Sequence, residues 1–147
     1  MTPAGVLVDD HILLRVLLEQ EPPELRPRGG PMSTTGLWYH RLCRALSDST
    51  VTGTLSRALG AVSSDVATET IRSVVTLPEW IQLTSLRTLG WPMATTLAAG
   101  DRLNLLSLEA LSAASHLGAE ICLAAVDDNP PLQDAARRKG IPVRVLG

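Results

Sequence analysis

Apolar side chains recur along this chain with two periods. Val6–Val8 is a short uninterrupted apolar run, the pattern of a buried parallel strand. His11 to Leu18 then carries Ile12, Leu13, Val16 and Leu17 at helical spacing, which predicts a helix with one apolar stripe. Prolines and glycines make Glu21 to Pro31 a loop. From Ser33 to Leu46 the helical spacing returns through Leu37, Leu42 and Leu46, with serine and threonine ahead of it as caps. Thr52 to Ala61 and Asp65 to Val75 predict two further helices. Trp80 to Leu83 reads as the second strand, so a long helical block separates the first two strands. Thr84 to Ala99 is helical but broken by Gly90 and Pro92, which predicts a kink or two short helices. Asn104 to Leu117 carries the strongest helical pattern and ends on Gly118 as a carboxyl-terminal cap. A strand over Glu120–Ala125, the turn VDDNPP, a helix over Leu132–Lys139 and a strand over Pro142–Leu146 follow.

Strands alternating with helices predict an α/β protein of three layers, α/β/α, with a central parallel sheet. At 147 residues the chain fits one domain, 1–147, with its own core. An apolar content of 45% separates it from disordered chains. The net charge of −2 supplies no global positive field, so any nucleic-acid site has to be a local patch. Twelve arginines stand against one lysine, Lys139, a bias that reads as the mark of a GC-rich genome, though arginine also suits phosphate contact. Cys43 and Cys122 lack metal-site spacing and read as buried thiols in a reducing cytoplasm. No apolar run reaches membrane-spanning length, and Asp9-Asp10 interrupts the first apolar stretch, so neither a membrane span nor a secretory signal is expected.

The chemistry is concentrated in acids that follow strands. In an open parallel sheet the strand carboxyl ends share one edge, and side chains just beyond them converge on a crevice. Asp9 and the Asp127-Asp128 pair both follow apolar strands, so they can meet although more than a hundred residues apart. Glu109 lies in the helix before the second of these strands. Several carboxylates around one crevice attract a hard divalent cation. Each acid also has an ordinary structural use: Asp9 as a helix cap, Asp10 as a solvated or capping acid, Asp127 and Asp128 in turn chemistry, Glu109 on a solvent-facing helix side. Arg41, Arg44 and Arg57 are candidates for an RNA-binding face, with a solvated helix face as the plainer reading. Trp38, Trp80 and Trp91 read as core or interface anchors.

Two families open with a strand running into acids and then a helix. The opening VLVDDHILL resembles response-regulator receiver domains, but those need a phosphoacceptor aspartate at a central strand end and a lysine near the last strand. Here Asp48 follows a helix and Lys139 lies in one, so that likeness covers about fifteen residues. The chain resembles the PIN-domain nucleases over most of its length. Val8-Asp9 matches the family's first strand-end aspartate, TTGLWYHRLCRAL its second helix, and LEALSAASHLGAEICLAAVDDNPPLQDAARRKGIPVRVL its last helices and strands in order and spacing. That likeness implies a PIN-like fold and a metal-dependent endoribonuclease, in the manner of the small toxins of toxin–antitoxin pairs. Asp9 with Asp127 or Asp128 would hold Mg²⁺ or Mn²⁺, and Glu109 with Asn104 or Ser107 would complete the site. RNA is the implied substrate, with Arg41 and Arg44 as candidate contacts. A homodimer and an antitoxin protein are the implied partners. The family's second-helix acid falls near Tyr39 to Arg41, where this chain has none, and Arg41 brings the opposite charge. The family's late-helix acid falls on Ser107, two residues and about 200° of helix from Glu109. A degenerate PIN-like module that binds RNA or protein without cleavage is the competing expectation.

Overall fold

The computed structural model describes residues 2–48 and 53–147. Five strands, β1 (Val6–Val8), β2 (Met32–Thr35), β3 (Ile81–Thr84), β4 (Glu120–Ala124) and β5 (Val143–Leu146), pair in the order β3-β2-β1-β4-β5, every pair parallel. Seven α-helices flank them: α1 (Asp10–Leu17), α2 (Gly36–Ser47), α3 (Thr54–Gly60), α4 (Ser64–Val75), α5 (Leu86–Ala98), α6 (Leu105–Leu117) and α7 (Pro130–Arg138). The result is the three-layer α/β/α architecture expected from the alternation of periods. A receiver's doubly wound sheet runs 2-1-3-4-5, so the observed order sets that likeness aside.

The sheet divides the apolar interior in two. On one face Val6 and Val8 pack with Ile12, Leu13 and Val16 of α1, Leu42 of α2, Leu55 of α3 and Val74 of α4. On the other, Leu7, Ile121 and Leu123 pack with Leu89 and Met93 of α5, Leu108 and Leu111 of α6, and Leu132 of α7. Side chains alternating across β1 explain the split, since Leu7 points opposite to Val6 and Val8.

One strand was not visible as such in the sequence. The segment Met32–Thr35 is a strand, where helical spacing extended the second helix back to Ser33. Trp80 to Leu83 therefore belongs to the third strand in chain order, and the block between the first two strands is α1 and a loop. In β2 the side chains Ser33, Thr34 and Thr35 are buried, and two hydroxyls are used at once. Thr34 Oγ1 donates to the Val8 carbonyl at 2.9 Å, and Thr35 Oγ1 accepts from the Trp38 N–H at 3.1 Å as the cap of α2. Within Thr84 to Ala99, where the sequence predicts a kink or two short helices, Leu86–Ala98 forms one continuous helix, α5, with Pro92 inside it, and Thr84 ends β3. Gly118 closes α6 at φ 64°, the left-handed conformation that glycine adopts without strain. The expected start of α3 at Thr52 lies outside the described residues; the helix begins at Thr54. Among the described residues no helix is long and apolar enough to cross a membrane.

Candidate functional site

In this strand order the chain reverses direction of travel between β1 and β4, and a crevice opens beyond their carboxyl ends. Asp9 stands immediately after β1, and a short 3₁₀ turn, Ala125–Asp127, stands immediately after β4. Both roles weighed for Asp9 involve its carboxylate, and the helix-capping one is present. Oδ1 accepts from the Ile12 N–H at 2.9 Å as the cap of α1, and Oδ2 accepts from the Ala124 N–H at 2.8 Å. The second bond spans the gap between β1 and β4, so this carboxylate ties the two strand ends together. Asp9 is 1% exposed. Burial pushes its carboxyl up to about 6, against the two backbone hydrogen bonds, with the Asp10 charge adding to the rise.

Asp10 is neither solvated nor a simple cap. It is fully buried, and Arg41 of α2 grips it with two donors: Nε reaches Oδ2, and Nη2 reaches Oδ1 at 2.9 Å. His11 Nδ1 lies 3.0 Å from the same Oδ1. Burial alone would raise the Asp10 carboxyl, but the His11 and Arg41 hydrogen bonds outweigh it and hold it below the usual carboxylate range. The same hydrogen bond to Asp10 raises the His11 imidazole.

Arg41 extends further. Its Nη2 also hydrogen bonds Asp127 Oδ2, and His11 Nδ1 lies 4.0 Å from that oxygen. A single guanidinium thus bridges an acid after β1 and an acid after β4. The plainer expectation of a solvated helix face does not hold for Arg41, which is 39% exposed and committed to two carboxylates. Asp128 is exposed and lines a shallow cavity with Trp38, Arg41, Asn104, Asp127 and Asn129. Arg44, exposed one turn beyond Arg41, lines a second cavity with His11, Arg41 and Asp127.

The remaining candidates divide. Ser107 is buried, and its hydroxyl accepts from Asn129 Nδ2 at 2.7 Å. Asn104 caps α6 by accepting from the Ser107 N–H at 2.8 Å. Glu109 does not face solvent. It is 1% exposed, and its Oε1 accepts from the Leu37 N–H at 2.8 Å, in the first turn of α2. Its other oxygen lies 3.5 Å from where a side chain on Gly36 would begin. The rotation that separates Glu109 from Ser107 turns it inward, where the positive end of α2 receives its charge.

Asp9, Asp10 and His11 each offer a ligand atom, all within 4.8 Å of one another. Carboxylate oxygens with one imidazole nitrogen suit a small divalent cation. His11 and Asp10 are the members that spacing alone did not mark, because adjacent residues carry no periodic metal-site signal. Neither a protein-family model nor a curated protein sequence matches the chain.

Proposed function

We propose that this crevice serves a divalent-cation-dependent phosphodiesterase acting on RNA, a PIN-type endoribonuclease in which Arg41 competes for the cation's place. The observation that carries the reading is the convergence of Asp9, Asp10 and Asp127 at the chain-reversal point. Three carboxylates there face one guanidinium and one imidazole, an acid-rich set that suits Mg²⁺ or Mn²⁺. Asp9, whose carboxyl burial pushes up to about 6, has the most to gain from a nearby cation. When bound, such an ion polarises a phosphodiester and activates water. The chain's own residues then divide the work. Asp9, Asp10 and His11 hold the ion, Asp127 or Asp128 closes the ring from the β4 side, and Arg44 faces the incoming backbone. The partners implied by the resemblance, RNA, a second copy and an antitoxin, belong to this reading; the chemistry of the crevice bears on the first alone.

A second reading, a PIN-like module that binds RNA or a protein without cleaving it, is favoured by two contacts. Glu109 is spent on α2, and Arg41 already satisfies Asp10 and Asp127. Calorimetric titration with Mn²⁺ and a cleavage assay on single-stranded RNA separate the two. The nuclease reading expects saturable Mn²⁺ binding and Mn²⁺-dependent cleavage, both lost in Asp9→Asn. RNA binding with neither Mn²⁺ heat nor cleavage replaces it with the second reading.

A further inference from the structure

Arg41 and Asp127 border two cavities at once. One, of about 360 Å³, is lined by His11, Arg41, Arg44, Thr54, Ser56 and Asp127. The other, of about 220 Å³, is lined by Trp38, Arg41, Asn104, Asp127, Asp128 and Asn129. The Arg41–Asp127 ion pair is therefore the wall they share. The two sides differ in chemistry. The larger carries two guanidinium groups and two hydroxyl side chains, while the smaller carries carboxamides and a second carboxylate.

The donors of Arg41 are unevenly used. Nε and Nη2 serve Asp10, and Nη2 also serves Asp127. Among the described residues Nη1 makes no hydrogen bond, so two of the five N–H groups of the fork are uncommitted. The Asp10 limb is fixed, because that carboxylate is fully buried and has no water to fall back on. The Asp127 limb is not, because both side chains are 39% exposed. Arg44 stands three residues along α2, on the same side of the helix as Arg41. It is exposed, and among the described residues it has no ion-pair partner. A guanidinium fork pinned at one end, with a second arginine beside it, suits the paired oxygens of a phosphodiester.

We infer that the larger cavity is a phosphodiester cradle for single-stranded RNA: Arg44 and Arg41 grip one backbone phosphate, and Arg41 exchanges Asp127 for a phosphate oxygen while staying on Asp10. The exchange removes the wall between the cavities and lets the adjoining nucleotide reach Asn104 and Asp128. The inference rests on RNA being the ligand of the site, but not on cleavage. The unusual consequence is that one acid of the crevice opposes RNA binding.

The test is fluorescence anisotropy with a labelled 12-nucleotide oligouridylate in EDTA, at several salt concentrations, on the intact chain. Asp127→Asn keeps the size of the side chain and removes the competing charge, and it is expected to tighten binding several-fold. Arg44→Ala is expected to weaken binding about tenfold and to lower the salt dependence by about one unit of slope. Both positions are solvent-accessible, and circular dichroism melts confirm that the variants fold. Unchanged or weakened binding in Asp127→Asn overturns the exchange. An unchanged affinity and salt slope in Arg44→Ala overturns the cradle. RNA bound in EDTA as predicted, but never cleaved with Mn²⁺, sinks the nuclease reading and leaves this one standing. Cleavage with Mn²⁺ without any binding in EDTA does the reverse.

Discussion

Replacing Arg41 with glutamine deletes the cation of the crevice while keeping a polar, unbranched side chain, shorter than the original. Removing one partner of a buried ion pair costs about 3–5 kcal/mol, because the other charge stays behind without compensation. Here Asp10 is fully buried, but Arg41 is 39% exposed, so solvent screening places the cost below that range, at about 2–3 kcal/mol. For a chain of this length that is roughly 6–9 °C in melting temperature. The pH dependence has a definite sign. Asp10 has a folded pKa below its ordinary value, so its contribution is complete above the ordinary carboxylate range and disappears as pH falls through the lower, folded value. The gap between wild type and Arg41→Gln is therefore widest near pH 7 and narrows in acid. Mn²⁺ supplies the converse. A ligand bound by the folded state alone stabilises it by about 2.7 kcal/mol at a hundred times its Kd, and the variant lacks the internal competitor. Thermal melts at pH 7 and pH 4, with and without Mn²⁺, read all three effects. If the variant melts with the wild type at pH 7, or Mn²⁺ lifts both proteins equally, Arg41 is not the resident cation of this site.

Other contacts make further predictions. Mn²⁺ affinity, followed by calorimetry, is expected to rise as pH increases through about 6, where Asp9 gives up its proton, and to keep rising until His11 is neutral; a flat profile between pH 5 and 8 refutes the assignment of those ligands. Glu109→Ala strands the Leu37 N–H in a half-buried first turn and is expected to cost about 1 kcal/mol in chemical denaturation. Glu109→Gln keeps an acceptor and should cost clearly less; equal losses mean the carboxylate charge rather than the hydrogen bond is what α2 needs. Thr34→Val removes the hydroxyl that meets the Val8 carbonyl while preserving shape, and is expected to destabilise by about 1 kcal/mol, with a wild-type-like melt refuting the role given to that hydroxyl.

The sequence carried the layered class, because alternation of periods is a local property and parallel sheets follow from it. It concealed β2, because Ser33, Thr34 and Thr35 are hydroxyl residues at buried positions, and only tertiary partners make such a strand tolerable. The closeness of Asp9 to the end of β4 was legible, since strand ends share an edge. The grip of Arg41 on Asp10 was not, because a separation of thirty-one positions sets no distance between the two side chains. Glu109 illustrates a partial case. Helical rotation turned it away from the Ser107 direction, but its use as a cap for α2 depended on a helix from elsewhere in the chain.

The tie from Asp9 to Ala124 has a consequence for the order in which the molecule is made. β1 lies in the middle of the finished sheet, and its neighbour β4 is encoded more than a hundred residues later. A nascent chain therefore carries an unpaired inner edge of β1 until β4 has emerged. Closure of that edge is a long-range event in synthesis, and until it happens β1 offers an open edge to other strands.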